Sequence, residues 1–128
     1  MRAYTVAATA VTLRVPAKWL DNVLSQNDID GVIKRRQGVA RRLTPQAVIT
    51  LDLALKLMKA FNATIPVALR LAQRFRENSP EQAGIDAGEG LLLSIDLRRL
   101  ETDVMERLAH AVEIAPSPPR GRPRRRRG

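Results

Sequence analysis

The residues best suited to chemistry in this chain are cations, and the chemistry they suit is the holding of a polyanion. Residues Pro119 to Arg124 read Pro-Arg-Gly-Arg-Pro-Arg, in a stretch that runs on into four consecutive arginines. Gly121 has no side chain to hold the backbone off a narrow groove floor. Arg120 and Arg122 flank it, and Pro119 and Pro123 bias the segment toward an extended course. Such a segment could lie in the minor groove of A·T-rich DNA, where the potential is most negative, with Arg120, Arg122 and Arg124 as its contacts. A second basic centre, Lys34, Arg35, Arg36, Arg41 and Arg42, suits phosphate and minor-groove contact. Net charge is +9. These five cations and the six arginines from Arg120 onward exceed that total, so the rest of the chain is slightly acidic. Charge concentrated in two places indicates binding surfaces.

The Arg-Gly-Arg-Pro core at 120–123 resembles the AT-hook, which implies docking in the minor groove. A plain electrostatic tail is the alternative. Arginine supplies 18 of the 22 basic residues and alanine is abundant, a pattern that a G·C-rich coding sequence produces without selection for groove binding. Either way the expected partner is double-stranded DNA.

Other chemistries find little support. The chain has no cysteine, which excludes disulfides, thiolate metal sites and zinc fingers and fits a reducing compartment. His110 is the only histidine and has no partner ligand nearby in sequence, so it reads as a surface or seam residue. Asp96, Glu101 and Asp103 stand at the start of an expected helix, where capping and the helix dipole account for them. No nucleophile elbow, phosphate loop or metal-ligand pair occurs, so the expectation is a non-enzyme with no catalytic residues, no metal and no cofactor. The N-terminal stretch, dotted with Thr5, Thr9 and Thr12 and closed by Arg14, makes a poor signal peptide. No apolar run approaches membrane-spanning length. A soluble, cytoplasmic and nucleoid-associated protein is expected.

The elements that must position these cations follow from periodicity. At 128 residues the chain fits one compact domain plus appendages. Thr5 is an expected N-cap for a helix to about Leu13, and Pro16 restarts a second through about Ser25. Ala10, Val15 and Leu20 fall at five-residue intervals: a small residue where two helices touch, an apolar plug in the turn, and a leucine facing back. That is the helix-turn-helix pattern. Gly31 to Leu43 has two β-prone ends around a basic, glycine-containing middle and reads as a hairpin. Thr44-Pro45 starts a third helix with Val48, Leu51, Leu55 and Met58 on one face, and Asn62 to Thr64 break it. Thr64 caps a fourth with Ile65, Leu69, Ala72 and Phe75 as its stripe. Residues 1–78 are thus expected to form one domain.

Ser79 to Gly90, with a proline, three glycines and several acidic residues, reads as a linker. Residues 91–115 are expected to form a short strand, Leu91 to Ile95, and a helix capped by Asp96. The seam Leu97, Leu100, Val104, Leu108 and Ala111 on that helix is close to a heptad. A homodimer through this seam gives it a purpose, since one recognition helix contacts too few base pairs for selectivity. Residues 116–128 form the basic tail, expected to be disordered without DNA.

Tyr4-Thr5-Val6, then Ala10, Val15 and Leu20, then Arg41-Arg42-Leu43-Thr44-Pro45 before Ala47-Val48, resembles the DNA-binding domain of the MerR-type winged-helix family. The resemblance covers residues 4 to about 76. It implies a mainly α fold, a winged helix-turn-helix that reads DNA with its second helix and closes its wing with an arginine and a capping Ser/Thr. Arg41 and Thr44 stand at those positions. In place of the family's turn glycine is Arg14, and Asp21-Asn22-Val23 replaces its Arg-Tyr-Tyr, removing an expected DNA contact. The family's coiled coil and effector domain have no counterpart, so effector sensing is not implied. The start of the second helix enters the major groove, which nominates Ala17, Lys18 and Asn22. Trp19 either packs under the wing or stacks on a sugar.

These expectations point to a sequence-specific transcriptional regulator. Two alternatives use the same elements: an architectural or recombination accessory protein similar to excisionases or phage terminase small subunits, and an antitoxin-like module in which residues 80–113 bind a protein partner.

Overall fold

The computed structural model describes residues 2–33, 40–77 and 83–114. The cations Lys34, Arg35 and Arg36 lie outside these residues, as does the arginine-rich segment with Arg120, Gly121, Arg122 and Arg124. The described chain is mainly helical, with five helices, a three-stranded sheet and a two-stranded sheet. Among the described residues no helix is long and apolar enough to cross a membrane. The chain divides into two compact units, residues 1–47 with 107–128, and residues 48–106.

The first unit begins with β1 (Tyr4–Thr5), α1 (Val6–Leu13) and α2 (Ala17–Gln26). The Thr5 hydroxyl accepts a hydrogen bond from the Ala8 N–H at 3.0 Å, the N-cap that spares α1 one orphan donor. Thr9 and Thr12 are buried, and each donates its hydroxyl to the carbonyl four residues back, at 2.8 and 2.9 Å. Apolar packing around α1 therefore strands no polar atom.

α1 ends on Arg14 in the left-handed conformation, φ 60° and ψ 45°. The Arg14 N–H reaches Val11 O at 3.2 Å and the Val15 N–H reaches Ala10 O at 3.0 Å, the paired closure of a Schellman turn. This turn brings Ala10 and Leu20 into the core with Val15 half-buried between them. A residue with a Cβ holds the left-handed conformation at a cost of about 1–2 kcal/mol, and glycine's larger unfolded-state entropy offsets about half of that. Arg14→Gly should therefore raise the unfolding free energy by about 0.5–1 kcal/mol in a urea titration. Unchanged or lower stability would count against this account of the turn.

β2 (Val32–Ile33) and β3 (Arg42–Leu43) are the two described arms of the hairpin, and β3 is the central strand of the order β1-β3-β2. Both pairings are antiparallel, with Leu43 opposite Tyr4 and Val32, and Arg42 opposite Thr5 and Ile33. Thr44 follows and caps α3 (Pro45–Phe61) by accepting the Ala47 N–H at 3.3 Å. The core of this unit comprises Tyr4, Ala8, Leu13, Leu20, Val23, Leu24, Ile29 and Leu43, with Leu108 and Ala111 from α5 (Leu97–Ile114). Arg107 of α5 donates to the carbonyl of Thr12 at 2.6 Å, a cation on one of the orphan acceptors at the end of α1.

The second unit holds most of α3, then α4 (Ile65–Glu77), β4 (Ala83–Gly88), β5 (Leu91–Ile95) and the first part of α5. α3 is buried almost all round, as a helix through a core must be: Val48, Ile49, Leu51, Leu53, Ala54 and Leu57 are all buried. The single stripe expected from periodicity is too narrow, and two of its members, Leu55 and Met58, are half-buried. Asn62 at φ 56° ends α3. α4 buries Ala68, Leu69, Ala72 and Phe75, with Ile65 half-buried at its start. Arg76 of α4 pairs with Glu101 of α5 at 2.7 Å, and the Asp96 carboxylate caps α5 by accepting the Arg99 N–H at 3.1 Å.

Two expectations require correction. The 79–90 segment is not a linker throughout, because Ala83–Gly88 forms a strand antiparallel to Leu91–Ile95. Glu89 and Gly90, at φ 50° and 84°, make the two-residue turn between them, the left-handed pair that matches strand twist. The boundaries between the compact units fall inside α3 and α5 instead. The seam on α5 is likewise no free dimerisation surface. Leu97, Val104, Leu108 and Ala111 are at most 2% exposed within a single chain and Leu100 is half-buried, so the heptad-like spacing reports core packing.

Candidate nucleic-acid interface

The first turn of α2 and the returning arm of the hairpin form the candidate site. Pro16 caps α2 through its extended backbone, φ −66° and ψ 140°, and no side chain accepts from the first-turn N–H groups. These orphan donors and the helix dipole leave a positive end. Leu20, Val23 and Leu24 bury one face of α2 and thereby turn Ala17, Lys18, Asp21 and Asn22 outward, where all four are exposed. At the other end, Asn27 donates both its backbone and its side-chain N–H to Val23 O at 3.0 Å, which stops the helix.

Arg41 comes back along the hairpin to meet α2. Its guanidinium donates to the Asp21 carboxylate at 2.6 Å, with the arginine side chain 17% exposed and the aspartate 56% exposed. With one partner this open to water, the pair adds only about 0–1 kcal/mol to stability. What it does instead is fix the direction of the guanidinium, which would otherwise sample many rotamers.

A cleft of about 420 Å³ lies between these elements, lined by Val6, Ala17, Lys18, Asp21, Ala40 and Arg41. Arg41 also forms part of a smaller cleft, about 250 Å³, with Leu24, Ser25, Asn27, Asp28, Ile29 and Val32. Lys18 forms no ion pair among the described residues, so its ammonium is available to an incoming anion.

The fold brings Ala17, Lys18 and Arg41 to one opening, although Arg41 is separated from Lys18 by more than twenty positions. Asn22 is exposed one turn further along α2 and does not line this cleft. Arg42 sits half-buried in β3, opposite Thr5 and Ile33, and does not line this cleft. Trp19 is half-buried. Lys34, Arg35 and Arg36, and Arg120, Gly121, Arg122 and Arg124, fall outside the described residues.

Asp21 is the residue that sequence reasoning missed. In the family pattern its position marks a lost cation, yet here it orients a cation supplied from the hairpin. The only local signal is an acid three residues after Lys18 on an otherwise uncharged helix face; nothing in the spacing ties it to Arg41. No family model matches the chain, and neither a curated protein nor a solved structure shows significant similarity to it.

Proposed function

We propose that this chain is a sequence-specific DNA-binding protein built on a divergent, MerR-like winged helix-turn-helix, acting by binding and not by catalysis. The start of α2 enters the major groove, and the hairpin acts as a wing over the phosphate backbone. The observation that carries the reading is the convergence of unpaired Lys18 and oriented Arg41 on one cleft at the positive end of α2. Lys18 reaches a base edge or phosphate, Asn22 a neighbouring base, and the cations at 34–36 and 120–127 neutralise phosphates. Transcriptional regulation is the use that this arrangement fits best, with the protein associated with nucleoid DNA.

Selection of bound sites from a random duplex pool tests the reading. Enrichment of a defined sequence by the full-length protein, lost in Lys18→Ala, is the expected result; no enrichment over a scrambled pool would sink it.

Asp21 supplies a sharper prediction. Asp21→Asn removes a negative charge from a DNA-facing surface and frees Arg41 for phosphate. Non-specific duplex affinity should rise several-fold, and the log-log salt slope should steepen by about one unit. Preference for the selected sequence should fall, because an unrestrained guanidinium no longer specifies one register. Weaker non-specific binding would show that Asp21 serves only the fold.

A further inference from the structure

We infer that the outer edge of β5 is the surface through which two copies of this chain pair, strand against strand and antiparallel, into one four-stranded sheet. β4 and β5 form a two-stranded sheet, and among the described residues no third strand lies along β5. A two-stranded hairpin is marginal in water unless further strands or a packed helix support it; α4 packs against β4, and β5 forms the other edge of the sheet. The hairpin carries the most exposed large apolar side chains of the described chain, Leu92 at 72% and Leu91 at 62%.

Edge strands that stay unpaired are blunted by lysine, proline or inward-pointing charge. Leu91-Leu92-Leu93-Ser94-Ile95 has none of these. Among the described residues this edge has no partner strand, and its sequence offers backbone donors and acceptors with no charge or proline to deter one.

The composition of the strand selects a second copy as that partner. Antiparallel pairing about a two-fold axis sets a strand against itself, so any charge near its centre meets the same charge. β5 has no charge, and its five residues are self-compatible. With all five paired, Leu93 faces its own counterpart, Leu91 faces Ile95, and Leu92 faces Ser94. The exposed Leu92 then lies diagonal to its own counterpart on the second copy, within reach for apolar contact. The segment beyond Ile114 is a poor occupant of this edge, since its sequence combines Pro116, Pro118, Pro119 and Pro123 with six arginines. A two-fold dimer also doubles the number of base contacts available to a single recognition helix.

Sedimentation velocity on the full-length protein without DNA tests the inference apart from any reading of DNA binding. A dimer is expected at about 10–100 µM, an ordinary range for a specific interface. Leu92→Lys and Ser94→Lys, both at exposed positions, should each weaken association at least about tenfold. Met105→Lys, on the exposed side of α5, should leave it unchanged. The chain has no cysteine, so Leu93→Cys introduces a single thiol. Opposite itself in an antiparallel ladder, at a Cα separation of about 4.5–5.5 Å, it should cross-link two copies under mild oxidation. A monomeric wild type, or a dimer that survives both lysine substitutions, overturns the proposal. Failure of the Leu93→Cys dimer to cross-link overturns the antiparallel pairing.

Discussion

Deletion of Pro116 to Gly128 should flatten the salt dependence of duplex binding by about five log-log units while leaving the preferred sequence in place. The segment contains six arginines and no acid. Each phosphate neutralised on duplex DNA releases condensed counterions worth about −0.9 in slope, so six contacts sum to about five units. Between about 50 and 200 mM salt, the full-length chain should lose roughly a thousandfold more affinity than the truncated one. Sequence preference should survive, because phosphate contacts position a protein without reading bases. Binding measured across a salt series, with site selection run in parallel on both forms, checks both halves. Loss of sequence preference on truncation would mean that the segment reads DNA, as an Arg-Gly-Arg-Pro hook in A·T-rich flanks would, and does not merely anchor.

A second large effect is expected at Gly31, on stability instead of binding. Gly31→Ala should lower the unfolding free energy by about 3 kcal/mol or more, a large part of what a small domain has. Gly31 sits at φ +92°, where a side chain costs about 1–2 kcal/mol. A Cβ there would overlap the Thr44 hydroxyl and lie 3.2 Å from both the N and Cβ of Ala47. Backbone cannot swing aside, and overpacking of this kind costs about 1–3 kcal/mol. The displaced atom is the one that caps α3 through the Ala47 N–H, so about 1 kcal/mol of cap is lost with it. The Thr44 N–H also donates to Gly31 O at 2.9 Å, which ties the start of the hairpin to its close. Urea titration gives the magnitude, and Thr44→Ala gives the coupling. The double variant should be less destabilised than the sum of the singles, because removing the hydroxyl removes the clash. A Gly31→Ala cost below about 1 kcal/mol would show that the turn opens freely.

Much of the local structure can be read directly from residue types. Thr5 and Thr44 announce helix starts because a hydroxyl at that position satisfies an orphan N–H, and both do so in the fold. The five-residue spacing of Ala10, Val15 and Leu20 marks the α1–α2 turn, because side chains at that spacing meet only if the chain reverses between them. β4 stayed hidden because Ala83–Gly88 has one large apolar residue, Ile85, to signal a strand, and glutamate stands where an asparagine or aspartate would announce the turn. Its strand character comes from pairing with β5.

The α5 seam illustrates a different failure. Leu97, Val104, Leu108 and Ala111 recur as a coiled-coil seam would, but a helix packed against its own core shows nearly the same period. Periodicity says that a face is apolar; it does not say which chain covers it. Burial within one chain answers that, and among the described residues the most exposed large apolar side chains are the leucines of β5.

Charge distribution, helix starts and the absence of thiol chemistry are properties of composition and of neighbours within a few residues, and the amino-acid sequence alone determines them. The pairing of Arg41 with Asp21, the left-handed Arg14, the need for glycine at 31 and the pairing of β4 with β5 belong to the tertiary structure. Each depends on atoms brought together from positions distant in sequence, or on a backbone angle imposed by packing on both sides. Such contacts have no local signature, because the same residue types at the same spacing are equally at home on a solvated surface.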